Sequence, residues 1–562
     1  DNCGSSGFYV YRNQTPVMIE ITTNQPKESI PMYQNCTTGQ LQLSLQYELK
    51  VAPDHIVNLI NDFVNSIPNE VLLDAGGHNK STGRPAVHPG ILLKAILYGY
   101  SRRQFSGRKI ELMMQENLPM MWLVQQQTFS YHTINSFITN EKTAQLLKRV
   151  FIQFTGKLHE LGLITQDALF IDGTKIEANA NKYSFVWKRS TEKYQAKLEE
   201  HVGELYDELV ENDVKPAIEK EEMKTVHGVE TITDQLEKEV EQLNQAIEAE
   251  PKIIKGGSEN KRKRRKVKKY IRKLKEDYLP RLKKYHQQMA TFGKRNSYSK
   301  TDHDATFMRM KEDPMLNGQL KPGYNLQIAT NNQFTIDYDI YSNPTDTRTL
   351  VPFLKQMECR EMFETIVADA GYGSEYNYTV IIDELNQQVL IPYSTMDREL
   401  KKRYKSNPKY PDNWIYSAED DYYIDPQGVR FDFKRYSKRH DKYGFERNFK
   451  VYEANAFQLN KTASEASRTK KAQRLRQIYV NGTWNYFRNL VKTAIQSDEG
   501  HAIYRRRKFD VEPVFARLKQ NMGYRRTKHR GKQEVKNALG LALMTLNLER
   551  LADWARQKAA QG

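Results

Sequence analysis

The stretch ALFIDGTKIEANANKY, residues Ala168 to Tyr183, decides the fold. Four apolar residues, Ala168–Leu169–Phe170–Ile171, run straight into Asp172 and Gly173. A short apolar run bounded by glycine predicts a buried strand. A carboxylate at the end of such a strand costs free energy unless it is paired or meets a cation. The pattern recurs 197 positions downstream in ETIVADAGYGS (364–374), where Asp369 closes a second apolar run. Between and beyond these runs, GYNLQIATNNQFTIDYDIYS (323–342) reads as two strands around an Asn331–Asn332 turn. TLVPFLKQMECREM (349–362) and EYNYTVIIDELNQQ (375–388) read as helices, and VLIPY (389–393) as another strand. Strands that alternate with helices predict a mixed α/β domain.

In such a sheet, sites form in the crevice beyond the strand ends. Two adjacent strands would bring Asp172 and Asp369 together, and an apposed pair of carboxylates implies a shared proton or a bound cation. Magnesium prefers carboxylate oxygens. A third acid, Glu512, stands in RRRKFDVEPVFARLKQNMGYRR (505–526), where it shares a predicted helix face with Phe515 and Lys519. Val511, Val514, Phe515 and Leu518 would pack that helix on the sheet, with Arg505 to Lys508 before it and Arg525–Arg526 after it. Two metals about 3.5–4 Å apart suit in-line phosphodiester displacement. Read singly, Asp172 and Asp369 also fit turn caps at strand ends, and Glu512 fits an ordinary helix-surface acid.

The chain has 562 residues and a formal net charge of +17, which points to nucleic acid through phosphate neutralisation. No run of about 18 apolar residues predicts a membrane span. The three cysteines, Cys3, Cys36 and Cys359, form no CxxC pair, so neither a disulfide framework nor a cysteine zinc site is expected, and a reducing cytoplasm is. Residues 1–36 read as a disordered or non-native leader. Residues 37–162 read as a helical N-terminal DNA-binding domain, with a helix bundle that makes no DNA contact as the open alternative. Residues 163–190, 301–394 and 500–555 form the predicted α/β core. Two insertions interrupt it. The first, 191–300, holds 18 acidic against 6 basic residues up to 250, then 19 basic against 3 acidic, and predicts a charged helical hairpin with an acidic and a basic arm. The second, 395–499, mixes basic and aromatic residues.

FIDGTKIEANANKYSFVWKR (170–189), VADAGYGSE (367–375) and RRKFDVEPVFARLKQNMGYRR (506–526) with HRGKQEVKNALGLALMTLNLERL (529–551) resemble the three acidic motifs of DDE transposases from bacterial insertion sequences. SGRKIELMMQENLPMMWL (106–123) and SYHTINSFI (130–138) resemble the N-terminal transposase domain of the same group. The resemblance implies a ribonuclease H-like mixed sheet as catalytic core, with an all-α N-terminal domain and the inserted helical hairpin. It implies metal-dependent DNA cleavage at element ends and strand transfer into target DNA, with Mg2+ or Mn2+ in its place. Asp172, Asp369 and Glu512 then hold the metal. Lys508 and Lys519 occupy the group's basic positions, and Arg505, Arg525, Arg526 and Lys175 are the further expected DNA contacts. The implied partners are double-stranded DNA, as terminal inverted repeats and target, and a second copy of the chain or more in a synaptic complex. A DNA-binding protein without catalysis and a nuclease without strand transfer are the alternatives.

Overall fold

The computed structural model describes residues 6–12, 15–21, 51–76, 86–212, 214–250, 258–310, 318–457, 461–469 and 473–561. Cys3 and Cys36 lie outside them, and Cys359 is a buried free thiol. The chain divides into two units, Asp1–Ile176 with Asn325–Gly562, and Glu177–Tyr324.

In the first unit, the stretch expected to be a loose leader carries a hairpin of Ser6–Arg12 and Thr15–Ile21, with Phe8 opposite Ile19 and Val10 opposite Val17. The period-two alternation of Val17, Ile19 and Ile21 is a strand signal that the Gly, Ser and Asn content obscures. Seven helices follow: α1 (Ile56–Ser66), α2 (Asn69–Asp74), α3 (Pro89–Ser101), α4 (Gly107–Glu116), α5 (Leu118–Leu123), α6 (Tyr131–Thr139) and α7 (Glu141–Glu160). Asparagines start two of them. Asn117 accepts from Met120 N at 3.0 Å and Asn140 from Lys142 N at 3.0 Å, each satisfying an orphan donor of the first turn.

The six-stranded central sheet contains β1 (Ala168–Glu177), β2 (Leu320–Asn331), β3 (Phe334–Tyr341), β4 (Thr365–Ala368) and β5 (Gln388–Leu390), in the order β5-β4-β1-β2-β3, and a short strand, Thr306–Arg309, that pairs antiparallel with the start of β2. β4 is parallel to both β1 and β5, whereas β2 and β3 are antiparallel, so the sheet is mixed. The β2–β3 turn is Asn332–Gln333, one residue later than expected, and both residues take positive φ. Leu169, Phe170 and Ile171 are fully buried; each contributes roughly 2 kcal/mol. β1 does not end at Asp172 as expected but continues to Glu177.

The second unit is a helical bundle: α8 (Lys188–Glu211), α9 (Val226–Glu248), α10 (Glu259–Lys273), a π turn (Leu274–Tyr278) and α11 (Leu279–Phe292) running on from it. The sequence predicts a two-armed hairpin; the structure has three long rods, because the acidic arm is itself two helices. Leu198, Leu205, Ile232, Leu236, Val267 and Leu274 lie in their shared core. The opposite charges do meet, in Lys263–Glu239 (2.9 Å), Lys275–Glu237 (2.7 Å) and Lys283–Glu230 (2.7 Å).

Back in the first unit, α12 (Leu350–Gln356) lies between β3 and β4 in the chain. Beyond β5, five short or medium strands form a second, antiparallel sheet: β6 (Ile415–Ser417), β7 (Tyr422–Ile424), β8 (Arg430–His440), β9 (Glu446–Ala454) and β10 (Gln477–Val480). Trp414, Val429, Phe431, Tyr452 and Ala454 give it a small core of its own. Two consecutive helices follow, α13 (Gly482–Gln496) and α14 (Asp498–Ala516).

The last helix, α15 (Lys532–Gln561), is buried on all sides in its middle, from Asn537 to Leu548, and mostly apolar there, as a helix surrounded by protein must be. It packs on α3, α6 and α7 and on β3. Asn537 donates to the carbonyls of Ile138 (2.9 Å) and Asn140 (3.0 Å), which closes the C-terminus of α6. The N-terminal helices therefore share a unit with the sheet rather than standing apart from it.

Beside this helix, burial pushes the Asp337 carboxyl up to about 7; Asp339 adds to the rise, and Tyr338 N–H and Lys536 oppose it. The folded state thus binds more protons than the unfolded chain between about pH 4 and 7, so this contribution is present at low pH and lost as pH rises through 7. Asp337→Asn is expected to unfold at a higher temperature than the parent at pH 8 and to lose that advantage at pH 4. Equal differences at both pH values would refute the assignment.

Candidate active site

The geometry starts from register. Ile171 of β1 lies opposite Ala368 of β4 in a parallel ladder. The next residue on each strand is an aspartate, so Asp172 and Asp369 leave the ladder side by side, with backbones about 4.8 Å apart. Each carboxylate is oriented locally: Gly173 N donates to Asp172 Oδ1 at 2.7 Å, and Gly371 N donates to Asp369 Oδ1 at 2.8 Å. Asp172 is buried and Asp369 half-buried.

A polar network lies beside them, and of its members Tyr372 and Asp346 carry no signal in the sequence reading. The buried Tyr372 hydroxyl donates to Gln327 Oε1 at 2.5 Å. Gln327 Nε2 donates to Asp346 Oδ1 at 3.1 Å, and Asn325 Nδ2 donates to the same oxygen at 2.7 Å. Burial raises the Tyr372 hydroxyl well above its ordinary range, and the charges of Asp346, Asp172 and Asp369 add to that, so it remains a proton donor. A Cβ on Gly173 would collide with the Gln327 amide and stand 2.7 Å from Asp346 Oδ1 and 3.0 Å from Tyr372 Oη. Glycine follows Asp172 because this network fills the space a side chain would need. Asp346 lies in a loop turn outside any apolar run, which is why no period reveals it.

α14 brings positive charge. Arg507 holds a guanidinium nitrogen 3.7 Å from Asp172 Oδ2, and its buried Nε has no hydrogen-bond partner among the described residues. One turn earlier, loss of water raises the Tyr504 hydroxyl; Asp369 adds to the rise and Arg507 opposes it. The expected basic residues are the flanking Arg505 and Lys508, both exposed. A signal for Arg507 is present in the sequence: with Val511, Val514 and Leu518 it forms an i, i+4, i+7, i+11 row, and those three are buried.

The structure does not bring all the expected residues together. Glu512 is exposed, five residues from Arg507 and so about 140° round the helix from it. Among the described residues no group of three His, Cys, Asp or Glu side chains is placed to hold a metal. Lys519 is expected on the Glu512 face, but a π turn (Arg517–Asn521) follows α14, and its wider winding buries Lys519. Arg525 donates to the Lys519 carbonyl at 3.1 Å, and Arg525 and Arg526 are exposed. Lys175 is half-buried and, three positions along β1, belongs to the opposite face from Asp172. The donor chemistry at Asp172 and Asp369 suits a hard divalent cation, since both ligands are carboxylate oxygens. No described helix is long and apolar enough to cross a membrane.

Two regions of the chain match known families. Residues 295–548 match the transposase DDE domain, and residues 45–140 match a second family described as a transposase domain. The chain is therefore a transposase. It belongs to the DDE transposases of the insertion-sequence type, with an N-terminal transposase domain. Asp369 and Glu512 fall within the DDE match, while Asp172 lies between the two matches, separated from the DDE match by the charged bundle. No curated protein and no solved structure gave a match.

Proposed function

We propose that the chain cleaves DNA at the ends of a mobile element and joins the freed 3′ ends to target DNA, on a ribonuclease H-like core. The observation that carries the reading is the register of β1 and β4, which sets Asp172 beside Asp369 under the Arg507 edge of α14. Asp172 and Asp369 would hold the divalent cation, magnesium or manganese, and Glu512 is the third acid by its place in the motif. When bound, such a cation activates the attacking oxygen and offsets charge on the leaving oxygen.

The chain's own residues do the rest. Arg507 balances part of the charge of the aspartate pair. Tyr372 and Gln327 fill the space beneath Gly173 and keep water out of it. Arg505, Lys508, Arg525 and Arg526 are exposed cations that would hold the phosphate backbone in register without reading sequence. Lys519, buried beside Arg525, would support that loop rather than touch phosphate. A synaptic complex joining two ends needs at least two copies of the chain.

The test is a donor plasmid bearing the element's ends, incubated with target DNA and magnesium. The expected products are nicked donor and donor joined to target, both lost in Asp172→Ala. Nicked donor without joined product would make the chain a nuclease; equal cleavage by Asp172→Ala would remove the aspartate pair from the chemistry.

A further inference from the structure

The Lys261–Lys269 run, KRKRRKVKK, is the densest positive charge in the chain, and the structure divides it between two faces of α10. One set of side chains turns into the bundle: Lys263 pairs with Glu239, Arg264 donates to Asn244 Oδ1 at 2.8 Å, and Lys266 donates to Asn212 Oδ1 at 2.9 Å. These contacts hold α10 against its acidic neighbours. The remaining residues have a different environment. Lys261, Arg265 and Lys269 recur at i, i+4 and i+8, with Lys268 at the edge of the same row, and all four are exposed. Among the described residues, Arg265, Lys268 and Lys269 enter no ion pair. The first set is thus engaged within the bundle, while the outer row presents its charge to solvent.

We propose that this row is a phosphate-backbone binding surface for double-stranded DNA, carried by the bundle. The proposal rests on the reading of the chain as a protein that acts on DNA. A straight row fits an extended polyanion. From Lys261 to Lys269 it runs about 12 Å, over which one strand of B-DNA presents about three phosphates. Contacts from these lysines and Arg265 to phosphate oxygens would position the duplex and carry no sequence information directly. The surface therefore adds affinity for any duplex and leaves choice of sequence to other residues.

The experiment replaces Lys261, Arg265, Lys268 and Lys269 with alanine together in the full chain. None of the four belongs to the bundle's core, and alanine favours helix at each position. Binding to a long linear duplex is measured in EDTA between about 50 and 200 mM salt. The slope of log affinity against log salt should become shallower by about 3, and affinity at the lower salt should fall at least about tenfold. An unchanged slope overturns the proposal. In the unaltered protein, bound DNA should protect Lys268 and Lys269 from acylation, and unhindered acylation overturns it as well, whatever the folding of the variant. Asp172→Ala separates this surface from the catalytic reading: it should keep the full salt slope while losing cleavage.

Discussion

Asp369→Asn is expected to nick end-bearing DNA at least about 10³-fold more slowly than the parent while binding that DNA equally well in EDTA. The change is nearly isosteric. The oxygen of the introduced amide still accepts from Gly371 N, the contact that orients the carboxylate in the parent. What disappears is one of two negative charges placed side by side by the Ile171–Ala368 register. Two consequences follow. Without metal, the variant should be more stable than the parent by on the order of 1 kcal/mol, because the repulsion with Asp172 is gone. With magnesium, the parent should gain stability through binding to the folded state, and the variant should gain much less. Activity thus falls as metal-free stability rises, a combination that a purely structural aspartate would not produce. A variant that loses both cleavage and metal-free stability would make Asp369 a turn cap, the plainer reading its sequence context also allows. Glu512→Gln extends the comparison: if Glu512 acts with the pair, its cleavage falls too, but metal-free stability stays put, since it is exposed and remote from Arg507's face.

The difference between legible and hidden parts of this site is physical. Asp172 and Asp369 stand out in the sequence because burial forces apolar residues on the strands, and an acid directly after such a run is costly enough to need a reason. Their adjacency is an inference from strand packing at the level of sequence, and the ladder of β1 and β4 supplies it. Arg507 is hidden because four consecutive basic residues, Arg505 to Lys508, look alike until the buried row of Val511, Val514 and Leu518 picks one of them out. Asp346 and Gln327 are invisible as partners of Tyr372, since their meeting depends on a loop and a neighbouring strand rather than on any local period. Lys519 shows the reverse case. Its spacing from Glu512 holds for an α-helix, and the π turn breaks that spacing after Ala516. The charged insertion is legible as helical and as self-paired, but the count of rods depends on α8 ending at Glu211 and α9 starting at Val226, which charge alone does not mark.

Asn547→Leu is expected to cost about 2–5 kcal/mol, the largest stability loss of the changes considered. β3 is hydrogen-bonded on one side only, to β2. An edge strand leaves unpaired amide and carbonyl groups, and burying them without partners is expensive. At Thr335 the missing neighbour is a side chain. Asn547 Oδ1 accepts from Thr335 N at 2.8 Å, and Asn547 Nδ2 donates to Thr335 O at 2.8 Å, so one amide of α15 stands in for a strand. Leucine has nearly the same size and neither group, so it leaves both Thr335 atoms buried and unpaired. Gly540, two turns earlier, shows how close the helix lies: a Cβ there would overlap the Tyr338 hydroxyl of β3. Gly540→Val should therefore destabilise the same seam by overpacking, by about 1–3 kcal/mol. The two losses should be less than additive in the double variant, because once α15 has lifted from β3 neither contact remains to be lost. Urea midpoints, together with hydrogen exchange at the Thr335 amide, check this: faster exchange there with a lowered midpoint is expected in both single variants. An Asn547→Leu protein with an unchanged midpoint and a protected Thr335 amide would mean that the edge of β3 is satisfied by some other group, and that α15 is held by apolar burial alone.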